Sequence, residues 1–89
     1  MSRETDLEQQ QACMQRFIDL ANAIQKEGVE KEQVSGALML ASCVYATFAM
    51  AGNQGGLTPS GVDKIVEAYR HSLQSIQKIK KQDAGQSSA

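Results

Sequence analysis

The sequence predicts an all-α fold, a three-helix bundle that is completed by homodimerisation. Residues 34–51 read VSGALMLASCVYATFAMA, an uncharged run with apolar or small side chains all the way round. The segments on either side of this run show apolar residues three and four apart, the spacing of one helix face. We therefore expect helices at about residues 6–27, 30–51 and 59–80, and no strand.

The first predicted helix has one apolar face and a polar face of glutamine and charge. Asp6 can cap its start, Lys26 lies near its end, and Gly28 is placed for a left-handed C-cap. The apolar face contains Cys13, Met14, Phe17, Ile18, Leu20, Ala21 and Ile24. Since both ends carry capping residues, the helix is expected over about residues 6–27.

The second predicted helix separates its large side chains from its small ones. Glu30 and Glu32 suit the positive end of a helix dipole, and Gly52 ends the run. The large side chains are Val34, Leu38, Leu40, Val44, Tyr45 and Phe48. The other flank is a stripe of Ser35, Ser42, Ala46 and Ala49, with Met39, Cys43 and Met50 between the two. Small side chains let a neighbouring backbone approach closely.

The third predicted helix follows a glycine-rich loop at residues 52–57. Thr58 can cap its start and Pro59 suits its first turn. Its apolar face contains Val62, Ile65, Val66, Tyr69, Leu73, Ile76 and Ile79. Residues 82–89 are small and polar without any period, which predicts a disordered C-terminal tail. A single helical domain is therefore expected over residues 1–81.

The all-round apolar second helix predicts a homodimer. A domain of 89 residues buries a limited fraction of its surface, and two amphipathic helices can shield only part of a third. The uncovered flank would be an apolar patch, which in a small protein marks an interface. The candidate interface residues are Ser35, Met39, Ser42, Cys43, Ala46, Ala49 and Met50. The alternative is that this flank receives a different, unidentified protein.

Charge and composition do not indicate a strongly charged partner. The formal net charge is −1 and the pI is about 5.7. Residues 1–33 are acidic and residues 57–89 are basic, so the two segments can attract each other. Lys78, Lys80 and Lys81 form the one basic cluster, without interleaved aromatic residues, and no nucleic-acid partner is expected. The polar, acidic N-terminus does not resemble a signal or transit peptide, so the expected localisation is cytoplasmic.

No residue pattern predicts catalysis, a cofactor or a metal site. His71 is the one histidine, at the border of an apolar face, with Glu67 four residues earlier as an ordinary surface pair. Cys13 and Cys43 lie in apolar helical patterns and are expected to be reduced and buried. The loop at residues 52–56 lacks the lysine and the spacing of a phosphate-binding loop. We therefore expect a protein that is not an enzyme and has no cofactor.

Two further functions are compatible with the sequence. Residues 34–51 are just long enough to span a membrane once, although Ser35, Gly36, Ser42 and Thr47 dilute the run. A small-ligand-binding or enzyme-accessory protein would instead hold a pocket between bundles, lined by Tyr45, Met39, Met50 and Tyr69. We expect the soluble homodimer, an interaction or accessory module, because it covers all three helices at once.

Three motifs resemble small bacterial proteins of unknown function. They are FIDLAN at residues 17–22, VSGALMLASCVYATF at residues 34–48 and EAYRHSL at residues 67–73. Their order is similar to families in which an F-I-x-L-A-N helix precedes a V-S-A-rich helix and a Y-R helix. Length and helix order also resemble the YejL-like family of small all-helical dimeric proteins. The resemblance covers about residues 14–80. It implies a small helical bacterial protein that can form a dimer, and it assigns no catalytic residue to this sequence.

Overall fold

Three helices make up the secondary structure of the residues that the structure describes. The computed structural model describes residues 3–52 and 55–88. The helices are α1 at Arg3–Lys26, α2 at Lys31–Ala51 and α3 at Pro59–Ser88. No strand occurs within those described residues. The predicted all-α class with three helices is confirmed.

The turn between α1 and α2 is made by Gly28. Its φ of 105° lies in the left-handed region, where a side chain would be strained. The Gly28 N–H donates to the Gln25 carbonyl at 3.0 Å, and the Glu27 N–H donates to the Ile24 carbonyl at 3.0 Å. These bonds satisfy carbonyl groups at the end of α1, which confirms the predicted C-cap.

The start of α1 differs from the prediction that Asp6 caps it. The helix begins at Arg3, and Glu4 and Asp6 both lie in its first turn. Negative side chains in this turn are favoured by the positive end of the helix dipole. Asp6 therefore contributes from within the helix, and the cap prediction is wrong.

Local signals also set the junction between α2 and α3. Gly52 has a φ of 74°, and its N–H donates to the Phe48 carbonyl at 2.8 Å. At the start of α3 the Gly61 N–H donates to the Thr58 hydroxyl at 3.2 Å, and the Val62 N–H donates to the Thr58 carbonyl at 3.0 Å. Thr58 is thus the N-cap of α3, as predicted.

The third helix is longer than predicted. It continues to Ser88, so residues 82–88 are helical where a disordered tail was expected from residue 82. The physical reason is that Lys81, Gln82 and Ala84 are good helix formers and no proline stops the helix. Ala89 lies outside the described residues.

The single chain has no buried core in its described part. It divides into two compact units, Met1–Val44 and Tyr45–Ala89, with the boundary inside α2. The helix α2 continues across that boundary. The single domain expected over residues 1–81 stays a prediction. No side chain in residues 3–52 and 55–84 is buried. The homodimer is a prediction that one chain does not test.

Candidate interface

The predicted interface residues lie along α2, where most of them are exposed. In the first unit Ser35, Met39, Ser42 and Cys43 are exposed. In the second unit Ala49 and Met50 are exposed and Ala46 is half-buried. The chain itself therefore leaves this flank open to a partner.

Three large side chains of α2 are mostly exposed. Leu40, Val44 and Tyr45 expose 64%, 72% and 70% of their surfaces. The Tyr45 and Phe48 rings contact each other edge to face, with centroids 5.8 Å apart and an interplanar angle of 70°. This geometry suits the charge distribution of two aromatic rings. In the described part of the chain both rings are exposed, Tyr45 by 70% and Phe48 by 47%.

The other two helices expose their apolar faces as well. In α1 the exposed large apolar residues are Leu7, Met14, Phe17, Ile18 and Leu20. In α3 they are Val62, Val66, Tyr69, Leu73, Ile76 and Ile79. Apart from Leu7, these residues belong to the faces that were predicted from their spacing. Their exposure in the single chain was missed, because spacing tells which side of a helix is apolar but not what covers it.

The cysteines are exposed, contrary to the prediction that they are buried. No disulfide joins Cys13 and Cys43, both of which lie in the described part of the chain. The large apolar residues next to them on each helix are exposed as well. An apolar pattern along a helix therefore did not show that these thiols are buried in the single chain. The prediction of burial is wrong for the single chain.

The lone histidine is part of the exposed surface of a helix. His71 is exposed on α3, and Glu67 forms an ion pair with Arg70 at 3.6 Å. This i,i+3 pair replaces the predicted pairing of Glu67 with His71. Among the described residues no three His, Cys, Asp or Glu side chains are grouped so that they could hold a metal ion.

Two depressions in the described part of the chain are lined by side chains other than those of the predicted ligand pocket. One of about 520 Å³ on α3 is lined by Gln74, Gln77, Lys78 and Lys81. Another of about 270 Å³ on α1 is lined by Cys13, Arg16, Phe17 and Leu20. Neither includes Tyr45, Met39, Met50 or Tyr69. A pocket between two copies is not tested by one chain.

One helix in the described residues is a membrane-span candidate. The helix Lys31–Ala51 is long and apolar enough to cross a bilayer by length and composition. The core helix of a soluble protein passes the same test. This helix is therefore the feature that supports the membrane alternative.

Comparison with known proteins places the chain in a family. The family model described as "Protein of unknown function (DUF3144)" matches residues 11–78, a range that contains all three quoted motifs. No match was found among curated proteins, and none among solved structures. The resemblance to the YejL-like family stays a prediction. Because the match spans most of the sequence, the chain belongs to the DUF3144 family of proteins of unknown function.

Proposed function

We propose that this protein is a small interaction or accessory module that works as a homodimer. The observation that carries the proposal is the absence of any buried side chain among residues 3–52 and 55–84. Eighteen large apolar side chains in that part of the chain are exposed, and they occur on all three helices. Hydrophobic burial is the dominant favourable contribution to folding, so this surface needs a partner.

The exposed area is large enough for a stable dimer. The chain exposes 7996 Å², whereas a monomer of 9.6 kDa that buries its own core exposes about 5,100 Å² by the usual mass scaling. The excess is roughly 2,900 Å² per chain, or about 5,800 Å² for two chains, on the same scaling. Obligate homodimers bury about 2,000–5,000 Å² in total from both partners. A second copy therefore offers enough surface to cover the exposed faces.

The proposed role is binding without catalysis or cofactor, in the cytoplasm. The support for binding is the character of the exposed surface, which is predominantly apolar along α2, where the sequence has no charged side chain from residue 33 to residue 62. A near-neutral net charge of −1 does not favour nucleic acid as the partner. The resemblance to dimeric YejL-like proteins agrees with this proposal.

A single-pass membrane protein is the second candidate, favoured by the length and composition of α2. A bilayer would cover α2 but would leave the apolar faces of α1 and α3 without protein partners. The homodimer is preferred because it can cover all three helices.

Cell fractionation followed by sedimentation distinguishes the candidates. The homodimer predicts that the full-length chain is recovered in the soluble fraction without detergent and sediments with twice its monomer mass. Recovery only from detergent-solubilised membranes would contradict it, as would a monomer mass at every concentration. Affinity capture with the native protein, and with a variant that does not dimerise as control, would then identify proteins that require the dimer.

A further inference from the structure

We propose that α3 pairs with α3 of a second copy, antiparallel, along one apolar seam. The inference rests on the proposed homodimer and adds where and in which orientation the copies meet. The seam is defined by Val62, Val66, Tyr69, Leu73 and Ile76. It lies on one helix and within one of the two units.

The spacing of the seam is that of a two-helix coiled coil. Successive seam residues are four, three, four and three positions apart, an average period of 3.5. This period keeps one stripe against one neighbouring helix that crosses at about 20°. The seam side chains are between 46% and 55% exposed, so no part of the single chain encloses the stripe.

The charges on α3 favour the antiparallel orientation. The next seam position after Ile76 is Lys80, with Lys78 and Lys81 beside it. A parallel pair would bring each Lys80 against the other, together with like ends of the two helix dipoles. An antiparallel pair brings Lys80 to the start of the other α3, where Asp63 lies. With Lys64 and Glu67 counted, residues 59–67 carry a net charge of −1 and residues 76–82 carry three lysines, so the two ends of α3 attract each other in a reversed pair.

The same arrangement fixes a register. If the stripe from Val62 to Lys80 pairs with its reversed copy, the two-fold axis passes near His71. Val66 then meets the partner's Ile76, and Tyr69 meets the partner's Leu73. Ile65 and Ile79 flank the seam on one side. Across the two-fold axis, Ile65 of one copy comes close to the partner's Ile79. The register thus matches four apolar seam residues with apolar partners, and at the end of the stripe Lys80 lies opposite the partner's Val62, beside the partner's Asp63.

Distances between spin labels test the orientation in the full chain. Labels would be attached to Ser72→Cys or to Gln82→Cys, each in a background with Cys13→Ser and Cys43→Ala. In the antiparallel register the two copies of residue 82 are 22 positions apart, about 33 Å along the helix axis at 1.5 Å per residue. The two copies of residue 72 are about 3 Å apart along the axis. Their separation is therefore mainly the interaxial distance of about 8–10 Å.

The two labelled positions give distinct outcomes. A short distance at residue 72 and a long one at residue 82 supports the proposal. Short distances at both positions would mean a parallel pair and would overturn it. No defined distance at either position, in a protein that sediments as a dimer, would mean that another surface covers α3 and would also overturn it. A chain that is monomeric throughout would contradict the proposed function itself.

A charge exchange tests the register with the native cysteines in place. Lys80→Glu alone, or Asp63→Lys alone, should weaken dimerisation about two- to fivefold at low salt, because each puts like charges together. The double variant should restore the native dissociation constant. Additive losses in the double variant would overturn the pairing of Lys80 with the partner's Asp63.

Discussion

The helices α2 and α3 both expose apolar side chains, but in different ways. On α3 the exposed apolar residues form one stripe, and charged residues such as Lys64 and Arg70 occupy other sides. On α2 they occur around the whole circumference, from Leu40 to Met50, and no charge follows Glu32. One neighbouring helix can satisfy α3, whereas α2 needs neighbours on several sides. The comparison shows that α2 carries the stronger requirement for assembly.

The largest expected effect comes from placing a charge on α2. Val44→Lys should destabilise the folded dimer by about 3 kcal/mol or more, because burying an unpaired ion costs several kcal/mol. If Val44 were as exposed in solution as it is in the single chain, the change would be close to neutral, since lysine is a good helix former. Chemical denaturation measures the difference.

Gln74→Lys is the matched control for that variant. Gln74 is exposed on α3 and lies off the seam, so the same charge there should change stability by less than about 0.5 kcal/mol. Equal stability of Val44→Lys and Gln74→Lys would show that α2 is not covered, and the distinction between the two helices would fail.

A smaller effect is expected within the small-residue stripe of α2. Ala46→Leu should cost about 1–3 kcal/mol by overpacking if another helix approaches Ala46 closely. Ala46 is the one candidate interface residue that is already half-buried in the chain. Denaturant midpoint and dimer dissociation constant would be compared with those of Gln74→Leu. If both variants behaved alike, the stripe would not be an interface.

The smallest expected effect is local to the start of α3. Thr58→Ala removes the hydroxyl that accepts the Gly61 N–H and should cost about 1 kcal/mol. Thr58→Ser keeps a hydroxyl and should recover most of this stability. Thermal unfolding of the two variants measures the difference, and an equal loss in both would mean that the hydrogen bond does not stabilise the cap.

Those elements of the fold that depend on local chemistry could be predicted from the sequence. Gly28 and Gly52 end helices because glycine adopts positive φ at low cost, and Thr58 caps α3 because its hydroxyl can accept a backbone N–H. The C-terminal boundary of α3 was missed, since residues 82–88 have no apolar period to extend it. Periodicity reports burial against a neighbour and says little about an exposed helix end.

The candidate interface could be predicted only in part. An apolar pattern identified the faces of α1, α2 and α3, but it could not show that Cys13 and Cys43 are exposed in the single chain. Burial depends on which surface meets the pattern, and in a homodimer that surface belongs to another molecule. The seven proposed residues of α2 therefore remain a prediction until the assembly is measured.

The concentration dependence of unfolding tests the central claim most directly. If the chain completes its core with a second copy, folding and association are linked by mass action, and the unfolding midpoint rises with protein concentration. Each tenfold increase should add about 1.4 kcal/mol of apparent stability per dimer. A midpoint that does not change with concentration, in a species that sediments as a monomer, would contradict the account.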